Sequence, residues 1–167
     1  PSPVHSITRG RAELRAGGIP ATTPRPVLHV PDHHRARARD LLARHGLMAG
    51  RYAILLPGCN ANGHLKRWGA DRYSALAHQI HHQGLDHVVL VGGPDEIEEC
   101  QRIAQTCGPW LINLCGQTAI LDIPSLCEPA RFIVANDTGT AHLAAATTVR
   151  MLVLCGPTNP RRVKPLG

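Results

Sequence analysis

Apolar residues fall into short unbroken runs separated by longer stretches in which they recur every three or four positions. The runs are Tyr52 to Leu56, His87 to Val91, Leu111 to Leu114, Phe132 to Ala135 and Met151 to Leu154. None alternates apolar with polar, as strands of a parallel sheet buried on both faces require. Between them, Tyr73, Leu76, Ala77 and Ile80 lie at i, i+3, i+4 and i+7, and Ile97, Cys100, Ile103, Ala104 and Cys107 share one face of a second helix. Asp71 and Asp95 stand where N-caps are expected, and Gly84 and Gly108 where the helices end. Leu121 to Ala130 predicts a weaker helix interrupted by Pro124 and Pro129, and Ala141 to Ala146 a fourth. Five strands joined by four helices predict an α/β fold, a Rossmann-like doubly wound parallel sheet. Its ligand should lie outside the carboxyl ends of the strands.

Ahead of Tyr52 the pattern is poorer. Gly17-Gly18-Ile19-Pro20 and Thr22-Thr23-Pro24-Arg25-Pro26 are turn-forming runs that no regular element tolerates. A helix then opens near Pro31-Asp32 and runs to His45. Its apolar positions, Ala38, Leu41 and Leu42, are sparse, so it is expected to cover an edge or pack on a neighbour outside this chain. The first residue is Pro1 rather than Met, which reads as a piece of a longer chain.

Composition narrows the classes. With 167 residues, 43% of them hydrophobic, the chain can bury one core without metal or disulfides and is not disordered. No apolar stretch approaches the ~20 residues that span a bilayer, and no signal segment opens the sequence. The net charge of +6 is confined to one end. Residues 1 to 51 hold nine Arg against Glu13, Asp32 and Asp40, whereas residues 52 to 167 hold nine basic and nine acidic groups. That distribution describes a solvated Arg-rich helix beside a neutral domain, not a phosphate-backbone face. Nor are the five aromatics interleaved with basic residues, so nucleic acid is excluded as a partner. The six cysteines form no C-x-x-C pair and read as reduced, buried thiols. His33-His34 and His81-His82 read as surface pairs, not metal ligands.

The candidate chemistry lies at the predicted strand ends, in Pro57-Gly58-Cys59-Asn60, Gly92-Gly93-Pro94-Asp95-Glu96, Asn136-Asp137-Thr138-Gly139-Thr140 and Gly156-Pro157-Thr158. All four carry glycine, where backbone would have to approach a ligand closely. The Thr138 hydroxyl and the amides opening the following helix suit an oxyanion, although an ordinary capped turn has the same letters. An aspartic protease also carries Asp-Thr-Gly, but in an all-β setting, and here an Ala-rich helix follows. In His64-Leu65-Lys66-Arg67-Trp68, Lys66 could neutralise a diphosphate leaving group, or the basic pair could be merely solvated beside a core Trp. Glu96 could accept from a ribose, or complement a helix dipole.

Taken in order, Leu55-Leu56-Pro57-Gly58, Lys66-Arg67-Trp68, Val89-Leu90-Val91-Gly92-Gly93-Pro94-Asp95-Glu96, Asn113-Leu114-Cys115-Gly116-Gln117-Thr118, Asn136 to Ala146 and Gly156-Pro157-Thr158-Asn159-Pro160 resemble the carboxyl-terminal half of the glycosyltransferase family 9 heptosyltransferases. The resemblance covers about residues 50 to 167. It implies half of a GT-B enzyme that transfers a heptose from ADP-heptose to the lipopolysaccharide inner core, with inversion and without a metal or other cofactor. Carried over, Lys66 and Asp137 are the catalytic candidates. Lys66 meets the donor phosphates, Glu96 the nucleoside, Thr118 the adenine side, Asp137 the heptose and phosphate region, and Thr138, Gly139 and His142 the diphosphate.

Residues 1–50 are then a linker and helix left from the amino-terminal half, and 51–167 the donor-binding domain. The general base and the acceptor surface are expected in that other half, so this chain alone should bind donor weakly and turn nothing over. A cytoplasmic protein is implied, with Arg35, Arg37, Arg39 and Arg44 available to an anionic membrane surface. Three departures stand out: Gly69 for the family's usual Pro, Thr140-Ala141 for a Pro-Met or Leu-Met pair, and the two prolines at 124 and 129. Two alternatives remain open, a non-catalytic nucleotide-binding or scaffold domain and another nucleotide-sugar enzyme of GT-B shape, such as an epimerase.

Overall fold

All five apolar runs form strands in a computed structural model, which describes residues 5–21, 27–58, 67–157, 159–163 and 165. They are β1 (Tyr52–Leu56), β2 (His87–Leu90), β3 (Leu111–Asn113), β4 (Ile133–Asn136) and β5 (Met151–Leu154). The helices are α1 (Ser6–Ala16), α2 (Asp32–Arg44), α3 (Ala70–His82), α4 (Ile97–Gln105), α5 (Ile123–Cys127), α6 (Gly139–Ala144) and α7 (Pro160–Val163). The strands pair in the order β3-β2-β1-β4-β5, every pair parallel. That order reverses between β1 and β4, and the crevice above such a reversal is where doubly wound sheets bind ligands.

Central β1 explains the missing alternation. Tyr52, Ile54 and Leu56 point into one core with Ala38, Leu41, Leu126, Ala141 and Ala144, while Ala53 and Leu55 point into another with Tyr73, Ala77, Ile80, Cys100 and Ile103. Both faces are buried, so no polar position is left. α3 and α4 cover one face, and α2, α5 and α6 the other. The buried Tyr52 hydroxyl donates to Leu126 O at 2.6 Å.

Several expectations are corrected. α2 is not a solvated helix awaiting an outside neighbour. Ala38 and Leu41 are buried in the domain core, and Asp122, fully buried, anchors the helix from the opposite side. The Asp122 carboxylate meets His34 Nδ1 at 2.7 Å and Arg37 Nε at 3.2 Å and accepts the Ala119 N–H at 2.7 Å. Arg37 also donates to Gln117 O, and Arg35 to Val30 O. His34 is therefore an internal partner. His81 is too, stacked on Trp110 with ring centroids 4.5 Å apart.

Pro124 does not interrupt a helix but begins one. A 3₁₀ turn (Ile120–Asp122) leads into α5, where proline in the first turn needs no amide partner, and Pro129 follows the helix end. Asp71 and Asp95 lie in first turns, two residues past the cap positions; Gly69 and Gly93 stand at those positions instead. α1 was not foreseen, because none of its residues is buried and its sequence has no apolar stripe. The described cysteines, Cys100, Cys107, Cys115, Cys127 and Cys155, are all free thiols, as expected. Among the described residues no helix is long and apolar enough to cross a membrane.

Candidate functional site

The crevice is built from four chain segments that leave the sheet at its carboxyl edge. At the end of β2 the chain turns through Gly92-Gly93-Pro94, and Glu96 folds back so that its Oε2 accepts the Gly93 N–H at 2.6 Å. This satisfies an amide that would otherwise be orphaned at a helix start. The same side chain lies flat against the backbone leaving β1. A Cβ on Gly58 would fall 2.2 Å from Glu96 Cγ and 2.7 Å from Oε1, and one on Gly92 would fall 3.0 Å from Glu96 Cβ. Close approach does explain these glycines, as the sequence suggests, but the approaching group is Glu96 itself.

The end of β3 joins this cluster. Gly116 donates to Gly92 O at 3.0 Å, and Cys115 Sγ to Gly93 O at 3.3 Å. Gly116 turns with φ +73°, which delivers the chain to half-buried Thr118. Burial pushes the Cys115 thiol up, so it is a protonated donor here and not a nucleophile.

Across β1, the end of β4 places Asp137, 5% exposed, with Oδ1 3.9 Å from His142 Nε2. Thr138 caps α6, its Oγ1 accepting the Ala141 N–H at 3.3 Å and sharing a 2.6 Å hydrogen bond with Thr140 Oγ1. The Thr138 hydroxyl is thus already engaged in holding the turn. Asn136, fully buried, spans the floor of the crevice. Its Nδ2 donates to Pro57 O and, at 3.4 Å, to Gly58 O, and its Oδ1 accepts the Tyr73 hydroxyl at 3.0 Å.

Glu96 rests against Gly58, and Asn136, the residue before Asp137, donates to the Gly58 carbonyl, so both sides border the same turn at the end of β1. Lys66 lies outside the described residues, as do Cys59, Asn60, His64, Leu65 and Thr158. Its neighbour Arg67 is described and pairs with buried Glu99, Nη1 to Oε2 at 3.2 Å. Trp68 packs edge-on against Tyr73 at 5.3 Å, as a core Trp should. Burial pushes the Glu99 carboxyl up, while Arg67 and Arg102 pull it back. The folded chain then binds that proton more tightly than the unfolded one, so ionised Glu99 costs stability, and the cost disappears as pH falls through the raised pKa. In denaturant titrations the stability of Glu99→Gln relative to wild type is expected to be higher at about pH 7 than at about pH 4.

Three of these features had no role in the sequence reading: the Asn136 amide, the Glu99 carboxylate and Asp122. Only Glu96 had a local signal, because an acidic residue three positions past Gly93 is placed to reach back to that amide.

The model of glycosyltransferase family 9 (heptosyltransferase) matches residues 5–167. The chain belongs to this family. Lipooligosaccharide heptosyltransferase 2 of Haemophilus influenzae is 28% identical over 158 residues, spanning 92% of this chain and 45% of that protein. The structure of Escherichia coli ADP-heptose LPS heptosyltransferase II superposes with a TM-score of 0.75 at 29% identity, over 91% of this chain and 46% of that one. A family 9 glycosyltransferase structure from Veillonella parvula gives 0.86 at 21% identity, over 97% and 47%. The chain spans about half the length of these relatives.

Two of the family departures have local causes. Gly69 caps α3 with φ +100°, a conformation closed to the proline usual in family 9. In Thr140-Ala141 the hydroxyl bonds the α6 cap residue Thr138, and the alanine is fully buried in the core.

Proposed function

We propose that this family 9 chain carries the donor-binding part of an inverting heptosyltransferase that moves a heptose from ADP-heptose to the lipopolysaccharide core. The observation that carries the reading is that Glu96 and Asn136, the residue before Asp137, both contact Gly58 at the carboxyl end of β1, within a family match that runs through all three. Residues 51–167, with α2 packed into their core, form the donor-binding unit, and the residues ahead of Val30 lead in from the acceptor half. Glu96 faces the nucleoside, with Thr118 on its adenine side. Asp137 faces the heptose and the diphosphate, bordered by Thr138, Gly139 and His142.

During transfer, negative charge gathers on the departing ADP. A cation fixed in place before the bond breaks stabilises that charge more than mobile water can. Lys66 supplies it, with His142 bordering the diphosphate, and no metal or other cofactor is required. The base that deprotonates the acceptor hydroxyl belongs to the other half of the enzyme, so this chain binds donor without turnover. Contact with anionic lipid would rest on Arg39 and Arg44, since Arg35 and Arg37 are engaged within the domain.

Calorimetry on the purified chain with ADP and with ADP-heptose tests the reading. The sugar is expected to raise affinity about tenfold over ADP, worth ~1.4 kcal/mol, and Lys66→Ala to weaken both ligands. Equal affinities would make this a nucleotide-binding domain without sugar recognition. Binding of neither ligand would remove the donor assignment, and heptose transfer by this chain alone would contradict the location of the base.

A further inference from the structure

We infer that Asn136 is a positioning residue that sets the spacing between the two sides of the crevice. This deepens the donor-site reading and rests on it. Three observations carry it. The amide is fully buried at the point where strand order reverses, and its hydrogen bonds all go to other parts of the crevice wall. Its Nδ2 holds Pro57 O and Gly58 O, at the end of β1. Its Oδ1 is in turn held by the Tyr73 hydroxyl of α3, which also lies 3.5 Å from Leu56 O.

The consequence follows from the neighbours. Gly58 is the surface against which Glu96 rests, and Asp137 is the next residue along the chain from Asn136. One side chain therefore ties the Glu96 side of the crevice to the Asp137 side, across the join where β1 and β4 pair in the sheet ladder. The orientation is set by Tyr73. Burial pushes its hydroxyl up, so it remains a donor throughout the physiological range and obliges the Asn136 oxygen to face it and the nitrogen to face Pro57. An amide is required, since both a donor and an acceptor are needed at one buried point.

A carboxyl group at this position can meet both needs only when protonated, which makes Asn136→Asp the informative variant. Ionised, it would turn a carboxylate toward the Pro57 and Gly58 carbonyls; protonated, it would donate as the amide does. The other titratable groups around the amide are Tyr73 on α3, Asp137 and His142 beyond it on the β4–α6 turn, and Glu96 against Gly58. They are common to wild type and variant and cancel in the ratio of the two.

ADP affinity of wild type and N136D is measured by calorimetry at about pH 8 and about pH 5, with amide hydrogen exchange of the segments around Gly58 and Asp137 under the same conditions. N136D is expected to bind about tenfold more weakly than wild type at the higher pH and to return to within about threefold at the lower, and those segments to exchange faster only at the higher pH. Asn136→Ala should be weakened at both. A wild-type to N136D ratio that is the same at both pH values, with exchange unchanged, would overturn the inference. If wild type itself binds no ADP, the donor reading fails, and hydrogen exchange alone decides the role of Asn136: pH-dependent loosening on both sides in N136D supports it, and unaltered exchange overturns it.

Discussion

Gly58→Ala is expected to dislodge Glu96 from the crevice wall, lowering stability by about 1–3 kcal/mol and weakening ADP binding about tenfold or more. The new methyl group would sit 2.2 Å from Glu96 Cγ and 2.5 Å from Cδ, well inside contact distance. The clash involves the middle of the side chain, not its free end, so a small rotation at the carboxylate does not relieve it. Glu96 would have to swing away, breaking its 2.6 Å bond from the Gly93 N–H. A double variant separates cause from consequence. In G58A/E96A the obstructing atoms are gone, so stability should return to that of E96A, with a coupling between the two substitutions equal to the G58A loss, about 1–3 kcal/mol. ADP affinity should stay low, because the proposed nucleoside contact has been removed as well. Strictly additive stability losses in thermal or denaturant unfolding would show that Gly58 is needed for some other reason.

Asp122→Ala is the second large effect, a loss of about 2–4 kcal/mol in denaturant titration. The carboxylate is fully buried, and its removal strands the Ala119 N–H while leaving His34 and Arg37 without their anion. His34 and Arg37 retain some exposure, so water recovers part of the cost and the effect stays below that of a fully enclosed ion pair. Asp40→Ala is the control. It removes an exposed i,i+4 pair with Arg44 and is expected to change stability by no more than about 0.5 kcal/mol. If the two alanine variants unfold together, the network around Asp122 contributes little.

How far the fold could be read in advance depended on the range of the forces concerned. The strands were legible because burial on both faces of a parallel sheet leaves an unbroken apolar run, a signal contained in four or five consecutive residues. α3 and α4 were legible from their periodic faces. Helix starts were misread where the deciding geometry was not local to the capping letter. Gly69 takes the cap position with a positive φ, and Glu96, not Asp95, bonds back to Gly93. Pro124 was read as a breaker because its meaning reverses between the interior and the first turn, and only the structure says which applies. Asp122 and its side-chain partners His34 and Arg37 lie 85 or more residues apart in sequence, and no periodicity encodes such a meeting. In the candidate site, the motif around Asp137 was visible as letters, but Asn136 within it carried no role until its hydrogen bonds to Pro57 and Gly58 could be seen.

The docking of α2 fixes what counts as the smallest intact unit. Val30, Ala38, Leu41 and Leu47 are as deeply buried as the strands they cover, and Arg37 reaches the carbonyl of Gln117, next to Thr118. Cutting the gene immediately before β1 would therefore strip a wall from the core and release the loop beside Thr118. For anyone dissecting this protein into modules, the seam lies upstream of Val30, and the arginine-rich segment travels with the five-stranded sheet.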